Sequence, residues 1–387
     1  MIIYSLREIY FVREGKTVKK KSAFFSYCPV HVLVLLILAL VMVVVNIISR
    51  NNPDFADGVN DSVGRVFRSV MTAVTGIVPF SLTETIVLCI PLYFVIVVLL
   101  IVWLVKHIDK FNKVISSIVT IFLVIFIIAQ GTSGSSYYGK TLAEKMGMKV
   151  EKLSAQDLYD TGVILADRAA AELDKIVFPE DTYSIMPFDY SGLNDELNKA
   201  WDKVVEKYPF YQKMTTKVKP VMLSFAWTYT HISGMYFGLT GEANLNINYP
   251  DYVVVSSAAH ESAHQRGIGS EDEANFTEFL VCINSDNPYL RYSGYMDMLH
   301  ELLSKLSSAD ATLNKQLRSY MDKRLMNEYV AYGEFFAKYA TNVAAKVSDK
   351  VNDINIVSHG QPEGVKSYGL VVDLVCAYLL HYESTQN

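Results

Sequence analysis

Residues 259–267 read Ala-His-Glu-Ser-Ala-His-Gln-Arg-Gly. On a helix, His260 and His264 stand one turn apart on one face, with Glu261 beside the first of them. Neutral imidazoles bind a divalent cation without cancelling its charge, and the adjacent carboxylate can take a proton from a water on that cation. The pattern is that of zinc-assisted hydrolysis, with His260 and His264 as metal ligands and Glu261 as the catalytic base. The chain holds only 8 histidines, so two of them at this spacing carry information.

The flanking residues sharpen the metal reading. Gly267 and Gly269 end the helix, and Ser270-Glu271-Asp272-Glu273 has the form of a capping box that opens a second helix through Ala274, Asn275 and Phe276. A third ligand is expected from that helix. Glu273 suits a cap on the Ser270 amide, whereas Glu271 and Glu278, seven residues apart, share the opposite face. The residues alone leave the third ligand open among Glu271, Glu273 and Glu278. Two histidines and one carboxylate leave a coordination position for water, whereas structural zinc sites use four protein ligands, commonly thiolates.

Composition makes the rest a membrane protein with a large polar portion. Hydrophobic residues are 51% of the 387 and are concentrated in the first third. Residues 30–48, 86–105 and 114–129 are apolar runs near the length needed to cross about 30 Å of hydrocarbon. Arg7, Arg13, Lys16, Lys19, Lys20 and Lys21 precede the first run, and Lys106, Lys110 and Lys113 lie between the second and third. Such an excess of basic residues predicts that both stretches face the cytoplasm. The expected organisation is a cytoplasmic segment at 1–29, three spans within 30–130, and an extracytoplasmic domain at 131–387. The connection at 49–83 is of mixed charge. No small-residue cleavage site follows the first run, which reads as an uncleaved anchor.

The outer portion is predicted to be mainly α. Residues 131–136 read as a short flexible leader, followed by helices at 154–176, 191–208, 288–304 and 309–351. A small β element is expected at 236–247, where Leu245 and Ile247 alternate with Asn244, Asn246 and Asn248 on a wet face. Glu242 is a further carboxylate available to metal or substrate, and its position suits a strand turn. His231 and His300 read as ordinary core or surface histidines. Cys282 and Cys376 lack metal-ligand spacing and read as buried free thiols, with pairing in an oxidising compartment as the alternative. The net charge of −5 and the absence of a concentrated basic patch beyond the cytoplasmic segments argue against nucleic acid as a partner.

Three runs, in order and behind apolar spans, carry a resemblance. They are Thr240-Gly241-Glu242-Ala243-Asn244-Leu245-Asn246, then 259–267 leading into Glu271-Asp272-Glu273-Ala274-Asn275-Phe276, and Gly364-Val365-Lys366-Ser367-Tyr368. Together they resemble a bacterial membrane-protein family catalogued as domain of unknown function 3810. The centre also resembles that of gluzincin membrane peptidases, in which a Glu-x-x-Ala-Asp/Asn motif supplies the third ligand from its first Glu. The resemblance implies a zincin-like domain, Zn²⁺ on His260, His264 and Glu271, and Asn275 as a partner of a zinc histidine. The gap between His264 and Glu271 is shorter than in most gluzincins. By analogy with phenols and imidazoles in related zinc peptidases, Tyr368 or His359 is a candidate donor to the oxyanion.

The expected function is a membrane-anchored zinc metallopeptidase acting on a peptide or protein of the cell envelope, with residues 244–248 pairing with extended substrate. The alternative is a non-catalytic zinc-binding sensor or scaffold on the same fold. An intramembrane protease fits poorly, because Asp251, Arg266 and a cluster of acids flank the histidine helix, far from any apolar run.

Overall fold

In the N-terminal third, near-uninterrupted Leu, Ile and Val at residues 30–49 and 90–106 make helices with no polar side to turn toward water. The computed structural model describes residues 29–179, 183–340, 344–346, 348, 350 and 370–385, and the backbone of three strands before them. Those strands, β1 (Ile2–Ser5), β2 (Glu8–Arg13) and β3 (Lys16–Lys21), form an antiparallel meander. Helix α1 (Val30–Ser49) follows, and the chain continues as α2 (Pro53–Val59), a π-helical turn at Asn60–Gly64, and α3 (Arg65–Thr75). Next come α4 (Leu82–Leu88), α5 (Ile90–Lys106) and α6 (Phe111–Ser133).

Two of these helices, α1 and α6, are long and apolar enough to cross a membrane. They pack together, and Asn46 Nδ2 of α1 donates to the Gly134 carbonyl at 2.8 Å. The second expected span is instead broken: α4 and α5 meet at Cys89 with a 53° bend. Pro91 has no N–H for the Val87 carbonyl and its ring crowds the preceding turn, which is enough to break an apolar helix there.

The connection at 49–83 is helical rather than open, and residues 131–136 are packed rather than a flexible leader. Gly131 and Thr132 are buried at the end of α6. A Cβ on Gly131 would sit 2.5 Å from Cδ1 of Phe67, so glycine lets α3 approach α6 there.

The rest is mainly helical around one apolar core. Helix α7 (Leu142–Met146) is short, and α8 (Ala155–Ala170) begins where Ser154 and Asp157 form a capping box. Helix α9 (Tyr190–Lys207) stops before Pro209. Strand β4 (Lys219–Pro220), helix α10 (Ser224–Thr228) and the hairpin β5 (Gly234–Phe237) and β6 (Glu242–Leu245) come next. Then follow α11 (Asp251–Gln265), α12 (Glu271–Ile283), α13 (Pro288–Ala309), α14 (Ala311–Tyr320) and α15 (Lys323–Ala337). The long helix expected from 309 is split because Asp310 and Asp322 each cap a new start. The last, α16, is Leu370–Ala377. Cys282 and Cys376 are both buried and free.

Helix α11 is central. Twelve of its 15 residues are buried, and Ser256, Ala258, Ala259 and Ala263 keep it thin enough for α12 and α13 to pack on it. The sheet has the order β4-β6-β5, so β6 is paired on both sides. Its expected wet face is in fact dry. Asn244 and Asn246 are buried because their amides serve main-chain groups, Nδ2 donating to Met235 O and Ile232 O at 3.0 Å each. Glu242 is likewise no open ligand: it is paired with buried Lys219 at 2.6 Å and accepts the Thr83 amide at 2.8 Å. Removing either partner of such a buried pair costs about 3–5 kcal/mol.

The α12–α13 crossing depends on Gly294, where a Cβ would collide with Cβ of Cys282. Gly294→Val is expected to lower stability by about 1–3 kcal/mol through overpacking. Gly333→Ala in α15 has open space around the added Cβ and is expected to raise stability by about 0.5–1 kcal/mol. Thermal unfolding of the detergent-solubilised chain measures both, and equal shifts would contradict this account of the crossing.

Candidate metal centre

The site begins with the way α11 ends. Gly267 takes a left-handed φ of 89°, the Gly267 amide donates to His264 O at 2.9 Å, and the Ile268 amide reaches Ala263 O at 3.3 Å. This is a Schellman closure, which glycine accommodates without strain. It brings the Ile268 carbonyl to His264 Nδ1 at 2.7 Å. With Nδ1 donating there, the Nε2 lone pair of His264 is left free for a metal.

Ser270 then opens α12, and Glu271 as its first residue returns over the histidines. The Nε2 atoms of His260 and His264 are 3.0 Å apart, and Glu271 Oε2 lies 3.3 Å and 3.6 Å from them. One ligand atom from each of the three residues falls within 4.8 Å of the others, so the group could hold a metal ion. The donor set fits a divalent cation. Two neutral imidazole lone pairs at this separation repel unless a proton or a metal lies between them. Burial disfavours the His264 imidazolium, but Glu271 outweighs it and raises the pKa to about 9. Burial likewise opposes the Glu271 carboxylate, yet the two histidines hold its pKa well below the usual carboxylate range.

Glu261 faces the same space. It is 5% exposed and its Oε2 has no hydrogen-bond partner among the described residues. Burial, the largest influence, raises its pKa above the ordinary value. Strand β5 runs directly against it: a Cβ on Gly234 would lie 2.6 Å from Glu261 Cγ.

The three candidate third ligands have separate places. Glu271 and Glu278 do share a face, and they flank the same imidazole, Glu278 Oε2 lying 3.9 Å from His260 Nδ1 on the side away from Glu271. Burial and then the neighbouring Asp297 push the Glu278 carboxyl far up. The Ser270 side chain makes no cap to α12, so the reciprocal capping box expected with Glu273 is not complete. The Glu273 carboxylate accepts the Leu142 amide at 2.6 Å, at the start of α7, and burial raises its pKa to about 7. A local capping rule had no means of foreseeing an acceptor for an amide 131 residues away. Asn275 is half-buried and is not among the described contacts of either imidazole.

Other candidates fall elsewhere. A ring nitrogen of His231 lies 2.8 Å from Tyr339 O, and His300 packs against Tyr329 and Tyr332. Tyr368 and His359 lie outside the described residues. Sequence reasoning missed Tyr137, which the fold brings near Glu271; burial and that carboxylate raise its phenol.

It also missed the two arginines that hold the helix in place. Arg266 is buried with its guanidinium 3.9 Å above the Trp201 ring, and it donates to Ser262 O at 3.1 Å and Met214 O at 2.7 Å. Trp201 Nε1 donates to Ser262 Oγ at 2.7 Å, between the two histidines in sequence. From the other side Arg68 of α3 donates to Asn60 Oδ1 at 2.8 Å, Asn60 O at 2.9 Å, Thr132 O at 3.0 Å and Gln212 Oε1 at 3.1 Å. Asn60 Nδ2 in turn donates to Gly267 O at 3.1 Å.

Gly267 thus has two reasons to be glycine. An added Cβ would meet a left-handed backbone and lie 2.5 Å from Arg68 Cζ. Gly147 closes α7 with the same left-handed geometry, φ 68°, but in open space. Gly147→Ala is expected to cost about 1–2 kcal/mol from backbone strain alone. Gly267→Ala is expected to cost about 1–3 kcal/mol more, because the arginine must also move. Paired thermal unfolding curves measure the difference, and equal losses would remove the Arg68 contact from the explanation.

Searches of curated proteins and of solved structures return no match. The sequence pattern of one protein family matches residues 60–376, from the π-helical turn that carries Asn60 through the described part of α16 to Cys376. With that match running over most of its length, the chain belongs to the family described as "Protein of unknown function (DUF3810)".

Proposed function

We propose that this chain is a membrane-anchored zinc metallopeptidase of zincin-like fold that hydrolyses peptide bonds in peptides or proteins of the cell envelope. His260, His264 and Glu271 hold the Zn²⁺, and Glu261 is the general base. The observation that carries this reading is the Glu261 carboxylate: buried, beside the three-ligand cluster, and with one oxygen unpartnered among the described residues. Buried polar atoms are rarely left unsatisfied without a functional reason.

Held by His260, His264 and Glu271, a zinc ion would supply Lewis-acid polarisation of the scissile carbonyl and a more acidic water. Glu261 accepts the proton of the attacking water and delivers it to the leaving amine. A carboxyl raised by burial suits both halves of that transfer. Substrate positioning falls to β5 rather than to residues 244–248, because β6 is already paired on both sides. The outer edge of Gly234–Phe237 runs past Glu261 and offers main-chain groups to an extended peptide. Glu278 stands behind His260 and is placed to orient the imidazole when its Nδ1 donates.

The topology belongs to the same proposal. Basic residues among the N-terminal strands and between α5 and α6 favour the cytoplasmic side. With the bent α4–α5 pair as one crossing, the residues after α6 lie outside the cytoplasm.

Metal binding is tested by titrating the detergent-solubilised full chain with Zn²⁺. One equivalent is expected to bind, His260→Ala and Glu271→Gln to weaken uptake at least about 10-fold, and Glu273→Gln to leave it unchanged. Absence of uptake by the wild type would end the zinc assignment. For the chemistry, Glu261→Gln keeps shape and metal binding but loses the proton acceptor. Hydrolysis of a responsive peptide is expected to fall by at least about 10²-fold. Full activity in that variant would remove Glu261 from the mechanism, and metal binding without hydrolysis of any peptide would point to a non-catalytic role.

A further inference from the structure

Amphipathic helices on a protein surface bury an apolar stripe and expose a polar one. Helix α3 does the reverse. Its buried positions are Arg68, Thr72 and Thr75, with Arg68 only 1% exposed. Their partners are polar too: Thr72 Oγ1 donates to Gly241 O at 3.1 Å, and Gln265 Nε2 donates to that carbonyl at 2.8 Å and to Thr72 Oγ1 at 3.2 Å. The outward positions are Val66 at 61%, Val70 at 53% and Val74 at 60% exposure, continued by Ile77 at 83%. These follow one another at three and four residues, a single stripe along the helix. From Ser69 to Thr83 the sequence contains no Asp, Glu, Lys, Arg or His.

We infer that this stripe is a lipid-contacting surface, covered by the acyl chains of the bilayer that holds α1 and α6. A helix with its polar side satisfied by protein and its apolar side outward is the arrangement expected when the outer medium is hydrocarbon. Two observations select lipid over another protein. The stripe runs on in the chain into the apolar α4–α5 pair, and α3 packs through Phe67 on Gly131 of apolar α6. A second exposed apolar patch, Met222, Leu223 and Phe225, is held to the start of α4, the Met222 and Leu223 amides donating to the Glu84 carboxylate at 2.9 and 2.8 Å. Both patches therefore adjoin the apolar α4–α5 unit.

The inner face of α3 reaches the metal centre through backbone. Gly241 is the hairpin turn between β5 and β6, and Asn60, held by Arg68, binds Gly267 just after His264. One helix thickness, about 10 Å, thus separates that backbone from lipid. This placement rests on the polarity of α3 and is independent of the hydrolytic reading.

The test is depth-dependent quenching in liposomes. The full chain, reconstituted in phosphatidylcholine vesicles carrying bromines on the acyl chains, is compared with Val70→Trp and Val74→Trp, both at exposed positions. The emission each substitution adds is expected to be lost when the bromines lie near the headgroup end of the chains, whereas emission added by Asp61→Trp on the preceding turn survives. An added signal that no bromine position quenches, while Trp103 of α5 is quenched, would overturn the inference. So would efficient disulfide-linked dimers of Val70→Cys, which would make a second copy the occupant.

Discussion

Everything at the candidate site hangs on one chain reversal, the four residues between Arg266 and Glu271. If α11 ended a residue later, Glu271 would miss the two imidazoles and His264 would lose its carbonyl partner. The left-handed Gly267 prevents that by closing the helix with paired main-chain bonds, and those bonds place the Ile268 carbonyl on His264 Nδ1. Arg68 packs so closely on Gly267 that the turn has no room to carry a side chain. A local backbone conformation therefore sets both the tautomer of one histidine and the position of the acid that faces it.

Charge around the two histidines is unbalanced. Glu261, Glu271, Glu278 and Asp297 converge on them, and burial raises the first, third and fourth of these carboxyls. Taking carboxylates out of water costs several kcal/mol each unless a positive partner is present. Arg68 and Arg266 lie near this cluster but are spent on carbonyls, amides and an aromatic ring. A site so rich in buried acid suits a cation, and the imidazole Nε2 atoms converge with Glu271 where one could sit.

Much of this was legible in the sequence, and the losses have physical causes. The His260 and His264 pair follows from spacing along one helix, which periodicity encodes directly, whereas Glu271 was singled out from three acids only by the resemblance to gluzincin centres. The helix start at Ser154 was readable because a cap is a short-range hydrogen bond. The roles of Glu242, Glu273, Asn244 and Asn246 were not, since each satisfies a backbone amide or carbonyl, or a buried lysine, distant in sequence or across a strand pair. The second apolar run read as one span because hydrophobicity is summed over a window, whereas the break comes from the missing N–H of a single proline. Residues 49–83 read as a connection of mixed charge because the sign of a residue such as Arg68 says nothing of its burial. Only its burial reveals a helix turned inside out.

That inverted helix bears on what release from the membrane would mean. Residues 60–75 are covalently part of the anchor region, yet their side chains complete the hydrogen bonding of Gly241 and Gly267 on either side of the histidine helix. Cutting the chain after α6 would sever that packing and leave those carbonyls, and the groove that Arg68 fills, open to water. The anchor is therefore not a tether that can be exchanged for another. Proteolytic shedding would dismantle the site rather than free it, confining whatever chemistry it performs to the membrane in which the chain was made.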